Sequence, residues 1–111
     1  MVATIDLGKA ENVTHVKMHF LDDPRHWIFL PEKITIDVSA DGNSYKTLET
    51  YAGGAGEEHY GVTVKDYTTQ RPLREKIRYI RVTANNLQAL PAWRFRANKK
   101  PMIACDEIYV Q

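Results

Sequence analysis

The chain has 111 residues, of which 43% are hydrophobic and 26% charged, ordinary values for a single globular domain. Its 15 basic and 14 acidic residues leave a net charge of +1, so overall charge does not indicate a nucleic-acid or membrane partner. The single cysteine, Cys105, excludes an intrachain disulfide and a cysteine-based zinc site. No segment approaches the ~18 apolar residues of a membrane span.

Apolar and polar residues alternate along most of the chain, which predicts strands, because a half-buried strand has a side-chain period of two. The apolar positions of the predicted strands are, in chain order, Ile5 and Leu7; Val16, Met18 and Phe20; Ile34, Ile36 and Val38; Val62 and Val64; Ile80, Val82 and Ala84; Ile108 and Val110. The turn signal Asp41-Gly42 predicts a hairpin between residues 34–39 and 45–48. At most, residues 70–76 form one turn of helix, which Pro72 limits.

About seven short strands joined by long polar loops predict an all-β fold, an antiparallel β-sandwich in preference to a barrel. No repeat, low-complexity tract or linker divides residues 1–111, so we expect one domain. The N-terminus has no basic region and no long apolar run, so no signal peptide is predicted.

Three long loops are the expected place of function. They are the first loop (residues 21–31), the second loop (residues 51–59, rich in glycine) and the third loop (residues 86–101). The first and third loops both follow strands that run toward one end of an antiparallel sandwich. We therefore expect these two loops to form a joint site.

The third loop combines aromatic rings with hydrogen-bond donors, an arrangement suited to a sugar. A ring stacks on the C–H face of a pyranose, and Arg and Asn side chains hold its hydroxyls. The candidate carbohydrate-binding residues are Trp93, Arg94, Arg96 and Asn98, with Arg25 and His26 from the first loop. The alternative is that Trp93 caps the core while the arginines are solvated. Trp27 begins the apolar run 27–30, so we expect it to pack the first loop onto the sandwich.

The histidines do not predict a metal site. His15 and His19 have the i, i+4 spacing of a helical zinc site, but on a strand they lie ~13 Å apart. A zinc ion needs its ligand nitrogens about 2 Å away. His59, beside Glu57-Glu58, is the remaining candidate.

Catalysis is not expected of this chain. Glycoside hydrolysis needs two carboxyl groups roughly 5 to 9.5 Å apart, whereas the acidic residues here are adjacent: Asp22-Asp23, Glu57-Glu58 and Asp106-Glu107. Neighbours on a strand point to opposite faces, which excludes the last pair. The first two pairs lie in loops that could converge. Cys105 lies in a strand-like run, where a small buried residue is the expected role.

Several segments resemble discoidin-type (coagulation factor 5/8 type C) modules. These are residues 3–9 (ATIDLGK), 36–45 (IDVSADGNSY), 78–82 (RYIRV) and 106–110 (DEIYV). Residues 27–31 (WIFLP) and 91–93 (PAW) resemble the modules appended to bacterial β-hexosaminidases of the chitobiase-like type. In order and spacing, the resemblance extends over nearly the whole chain.

The resemblance implies a galactose-binding-like jelly-roll sandwich and a non-catalytic, carbohydrate-binding role beside a catalytic glycoside hydrolase domain in a secreted, periplasmic or cell-surface protein. Its expected partners are a glycan of the N-acetylhexosamine or galactose type and that catalytic domain. Such modules usually carry a further N-terminal stretch, which often supplies a structural calcium loop. This sequence lacks that stretch, as an excised C-terminal domain would, so no cofactor is expected, and a structural calcium ion is left open by the resemblance alone.

Two other function classes compete with carbohydrate binding. An interaction or spacer domain would pack on a neighbouring catalytic domain through an apolar patch that uses Trp27 or Phe95, and would bind no glycan. A nucleic-acid binder would use the basic and aromatic residues of the third loop, and its affinity would depend strongly on salt. The chain has no wider basic face, so the nucleic-acid hypothesis ranks last.

Overall fold

The computed structural model describes residues 1–54, 56, 58–69, 76–88, 90–94 and 100–110, with the backbone alone at 106 and 107. Seven strands form the described part of the chain: β1 (Val2–Asn12), β2 (Val16–Asp22), β3 (Lys33–Ser39), β4 (Lys46–Ala52), β5 (Thr63–Thr68), β6 (Lys76–Asn85) and β7 (Cys105–Val110). Two 3-10 helices lie at Pro24–His26 and Ala92–Arg94. The all-β prediction is therefore confirmed. The predicted helical turn at 70–76 lies outside the described residues, except for Lys76, which opens β6.

The strands form two antiparallel sheets that pack as a β-sandwich. One sheet has four strands in the order β1-β6-β3-β4, and the other has three in the order β5-β2-β7. Strands β3 and β6 pair over seven residues, from Lys33 opposite Asn85 to Ser39 opposite Tyr79. Strand β2 pairs with β5 on one side and β7 on the other. Most neighbours in the sheets are distant in sequence.

Alternating burial explains why these segments are strands. In β2 each buried residue is followed by a half-buried one, and in β3 the apolar positions Ile34, Ile36 and Val38 are buried. A single hydrophobic cluster joins both sheets: Val13, Val16, Met18, Phe20, Ile34, Ile36, Val38, Leu48, Tyr67, Ile77, Ile80, Val82 and Ala84. Burying this apolar surface is the main stabilising contribution to such a fold. Cys105 is half-buried and packs against this cluster.

The predicted hairpin between β3 and β4 is confirmed. Ser39 Oγ accepts a hydrogen bond from the backbone of Gly42 at 2.8 Å, and Asp41 Oδ1 accepts two from the backbones of Asn43 and Ser44. Gly42 has a φ of 82°, in the left-handed region where a residue without Cβ is favoured. These side chain to backbone hydrogen bonds fix the turn and therefore the register of the two strands.

The three long loops lie at one end of the sandwich. The backbone N–H of Glu32 donates to the Asn85 carbonyl at 2.8 Å, and the backbone N–H of Gly53 donates to the Glu32 carbonyl at 2.9 Å. Phe29 N–H donates to the Met102 carbonyl at 3.0 Å, and Met102 N–H donates to the Trp27 carbonyl at 2.8 Å. Between the loops themselves, Arg94 of the third loop donates to the Pro24 carbonyl of the first at 3.1 Å, and the His59 ring of the second loop lies 5.8 Å from the Trp93 ring. The expectation that the first and third loops meet is therefore confirmed, and the second loop joins them.

Candidate functional site

The first loop is a compact turn closed by its own backbone. Pro24 opens a single 3-10 turn, where its fixed φ suits the first helical position. Trp27 ends the turn with a φ of 65° and donates its N–H to the Pro24 carbonyl at 3.1 Å. The backbones of Asp23 and Ile28 then exchange two hydrogen bonds, at 2.8 and 3.1 Å. Trp27 is half-buried, and both its backbone groups are bonded: its N–H donates to Pro24, and its carbonyl accepts from the Met102 N–H.

Arg94 joins the third loop to the first. Its Nε donates to the Pro24 carbonyl at 3.1 Å, and an Nη donates to the Arg25 carbonyl at 3.3 Å. Its guanidinium lies 4.0 Å from the centre of the Trp27 ring, within range of a cation–π contact. Arg94 thus binds the protein's own first loop.

Trp93 lies at the centre of an aromatic cluster. Its ring centre is 6.2 Å from that of Phe29, 5.8 Å from that of His59 and 5.9 Å from that of Tyr60. The Tyr60 hydroxyl donates to the Trp93 carbonyl at 3.2 Å. Because Phe29 is fully buried and Trp93 half-buried, the cluster extends the core under the loops. This geometry favours the core-cap alternative for much of the Trp93 ring.

Two buried carboxylates at the end of β2 each bind a histidine. Asp22 Oδ2 lies 2.9 Å from His59 Nε2, and Asp23 Oδ2 lies 2.6 Å from His26 Nδ1. Burial raises the pKa of the Asp22 carboxyl above its ordinary value, with a smaller contribution from Asp23, while His59 opposes the rise. The Asp22–His59 pair links the second loop to β2.

A polar groove of about 580 Å³ opens between the first and second loops and β5. It is lined by Asp22, Leu30, Gly53, Gly54, Gly56, Glu58, His59 and Lys65, and this set is called the groove below. Glu58 Oε1 accepts a hydrogen bond from the Tyr60 hydroxyl at 2.8 Å. Trp93 contacts His59 and Tyr60 and therefore lies beside the groove. The groove therefore combines carboxylate acceptors, the Lys65 ammonium donor and the backbone of three glycines in one concave surface.

The predicted binding residues fall into three groups. Arg25 and His26 are exposed on the first loop, and the His26 side chain is 75% accessible. Trp93 and Arg94 face the first loop and the aromatic cluster. Arg96 and Asn98 lie outside the described residues, as does Phe95, which the spacer-domain alternative would use. From the sequence, Asp22 and Glu58 were predicted only as catalytic candidates, and His59 only as a lone metal candidate. In the structure all three residues line one groove.

Two other cavities are less suited to a polar ligand. One, of about 310 Å³, lies beside the β3–β4 turn, where Ser39 and Asp41 are occupied by the hydrogen bonds of the turn itself. The other, of about 210 Å³, is lined by His19, Leu21, Val64, Ala104 and Cys105 and is mostly apolar. In the described ranges, no three or more His, Cys, Asp and Glu side chains group as metal ligands. His15 is exposed before β2, and His19 lies 3.5 Å from Asp66.

Comparison with protein-family models and with curated protein sequences gives no significant match. No helix in the described part of the chain has the length and apolar character needed to cross a membrane. Function is therefore inferred from the chemistry of the groove and of the loops around it.

Proposed function

We propose that the chain is a non-catalytic carbohydrate-binding module that accompanies a glycoside hydrolase in a secreted protein. The observation that carries this proposal is the polar groove of about 580 Å³ that the first loop, the second loop and β5 form together, with Trp93 of the third loop beside it. The resemblance to discoidin-type modules of the galactose-binding-like jelly-roll kind adds to it, because such modules bind sugars through loops at one end of a sandwich.

The side chains of the groove suit a sugar. The exposed Glu58 offers a hydrogen-bond acceptor, Lys65 offers a donor, and Leu30 offers an apolar contact. Gly56 leaves open space at its Cα, whereas Gly53 packs against the first loop, where an added Cβ would lie 2.9 Å from the Pro31 carbonyl oxygen. Arg25 and His26 remain exposed on the first loop as additional donors.

A non-catalytic role agrees with the way the carboxylates are used. Asp22 is only 8% accessible and bonds to His59, while Glu58 accepts from the Tyr60 hydroxyl. A glycosidase needs one carboxyl group as an acid and a second as a base or nucleophile on either side of the bond. Here each carboxylate already has a partner within the protein, so binding is the better supported role.

Affinity for a single sugar is expected to be weak. N-acetylglucosamine has about 15 non-hydrogen atoms, and an efficiency of about 0.3 kcal/mol per atom gives about 4.5 kcal/mol. This corresponds to a Kd on the order of 1 mM. The open groove therefore suits a module that works beside a catalytic domain or binds several sugar units.

The test is a ¹⁵N NMR titration with N-acetylglucosamine, galactose and their oligomers. We expect amide shifts at the groove, chiefly Gly53, Gly54, Glu58 and His59, with saturation in the millimolar range. His59→Ala should weaken binding, and His15→Ala, which changes an exposed histidine before β2, is the matched control. If no sugar shifts the groove amides, the carbohydrate proposal fails.

The second candidate is an interaction or spacer domain that packs on the catalytic domain. Val62 and Val64 are 62% and 58% accessible, and Val64 borders the apolar cavity of about 210 Å³. Together with that cavity, the two valines form a small apolar surface that a neighbouring domain would cover in this candidate. The same titration separates the two candidates, because a spacer domain would stay folded and show no shift with any sugar.

A further inference from the structure

The two ring nitrogens of His59 have different surroundings. Its Nε2 lies 2.9 Å from Asp22 Oδ2, and its side chain, which lines the groove, is 33% accessible. No hydrogen bond joins its Nδ1 to the described residues. The buried side-chain atoms without a partner in this part of the chain belong to His19, Asp22, Asp23 and Tyr67 instead. The unpartnered Nδ1 of His59 is therefore accessible, on a residue that borders the groove.

Asp22 fixes the tautomer of His59. A carboxylate has acceptors only, and a carboxyl group loses its proton at a much lower pH than an imidazolium. Burial raises the pKa of the Asp22 carboxyl, while the donors His59 and Thr63 oppose the rise. The hydrogen between the two side chains therefore belongs to Nε2. In a neutral imidazole one nitrogen is a donor and the other an acceptor, so Nδ1 is the acceptor.

The His59 ring is held in this orientation by two contacts. Asp22 bonds to it from the buried end of β2, and the Trp93 ring lies 5.8 Å away at an interplanar angle of 41°. A hydrogen bond to one imidazole nitrogen sets the state of the other, and such a partner also fixes the ring orientation. A ring that is fixed in advance loses little conformational freedom on binding, which favours affinity.

From this geometry we infer that His59 is a ligand-binding residue, whose Nδ1 accepts a hydrogen bond from one sugar hydroxyl, and that Asp22 is a positioning residue, which acts through His59. The inference rests on the proposed function and deepens it by naming the ligand group that the groove recognises. Sugars in which this hydroxyl is free bind better than sugars in which it is methylated or removed, because only a free hydroxyl supplies a donor to Nδ1.

The first experiment measures the tautomer of His59 in the unliganded protein. A long-range ¹H–¹⁵N NMR spectrum distinguishes a protonated from an unprotonated imidazole nitrogen, and it is recorded at about pH 8, where histidine side chains are ordinarily uncharged. We expect the hydrogen on Nε2 alone. A hydrogen on Nδ1 would overturn the inference, because that nitrogen would then be a donor. This measurement needs neither a variant nor a sugar.

The second experiment compares galactose and N-acetylglucosamine with their monodeoxy derivatives by NMR titration. Removal of one particular hydroxyl should weaken binding to the unaltered protein about tenfold, or about 1.4 kcal/mol. The same removal should have no effect on His59→Gln, because the two changes break one hydrogen bond and are therefore not additive. Glutamine keeps an N–H that can donate to Asp22 and has no acceptor at the position of Nδ1.

The matched control is His15→Gln, the same substitution at an exposed histidine before β2, which should keep the tenfold effect. If every deoxy sugar binds the unaltered protein as well as its parent sugar, the inference is overturned while the proposed function stands. A folded His59→Gln protein that still shows the tenfold effect would also overturn it, since the role of His59 would then be structural. Failure of every sugar to bind would refute the proposed function itself.

Discussion

Replacing Arg94 with alanine should loosen the connection between the first and third loops. The half-buried hydrogen bond to the Pro24 carbonyl contributes about 1 kcal/mol. The longer, exposed bond to the Arg25 carbonyl adds up to about 0.5 kcal/mol, and the stack on Trp27 adds about 0.5 to 1 kcal/mol. The expected loss is therefore about 2 kcal/mol, or about 8 °C in Tm for a domain of this size.

The assay is urea unfolding followed by circular dichroism, with the midpoint and slope fitted together. Arg94→Lys should lose most of the same free energy, because an ammonium group keeps the charge but not the planar fork that reaches two carbonyls and covers the Trp27 ring. Arg25→Ala, which removes an exposed guanidinium from the first loop, is the control and should change stability by less than about 0.5 kcal/mol. An Arg94→Ala protein as stable as the Arg25→Ala protein would refute the reasoning.

Two further predictions concern the turns and the pH dependence of stability. Gly42→Ala should cost more than Gly8→Ala, because both residues have a positive φ but only at Gly42 does an added Cβ meet a side chain, 3.0 Å from Tyr79. The shared conformational cost is about 1 kcal/mol, and equal losses in urea unfolding would show that the Tyr79 contact does not matter. For Asp22, the raised pKa means that its stabilising contribution is complete below about pH 3.8 and is lost as the pH rises through the folded value. The unaltered protein should thus lose unfolding free energy relative to Asp22→Asn as the pH rises from about 3 to about 6. Asp41 has a pKa lowered by backbone hydrogen bonds from Ser44 and Asn43, so its stabilising contribution is complete above about pH 3.8 and is lost as the pH falls through the lower folded value. Asp41→Asn should therefore lose stability relative to the unaltered protein as the pH rises toward about pH 4. The measurement is the difference in unfolding free energy between each variant and the unaltered protein. If both differences are independent of pH, or if both change in the same direction, this account is contradicted.

The strands could be predicted from the sequence because burial alternates along them. Met18 and Phe20 in β2, like Ile34 and Ile36 in β3, point inward and follow a period of two. The sheet order could not be predicted in this way, because β6 pairs with β1 and β3 through contacts between distant segments. The 3-10 turns were also missed, since three residues carry too little periodicity to be recognised.

The loop contacts could be predicted in part. In an antiparallel sandwich alternate connections lie at the same end, so the strand count predicted that the first and third loops lie together. The second loop follows β4, and the same count places it at that end of the sandwich. The partners within the site depend on tertiary geometry: Asp22 and His59 are 37 positions apart, yet their side chains meet at 2.9 Å. Arg94 was expected to hold a ligand because its guanidinium is a good donor, and the Pro24 carbonyl uses that same donor.

The positions of the two tryptophans have a practical consequence. Trp27 lies under the Arg94 guanidinium and Trp93 lies among the rings of Phe29 and His59, so both indoles are at the loop end of the sandwich. Tryptophan fluorescence, excited selectively over the six tyrosines, therefore reports on that end, while far-ultraviolet dichroism reports on the sheets. Transitions that separate between these two signals would reveal the loop end opening as an independent unit before the strands come apart.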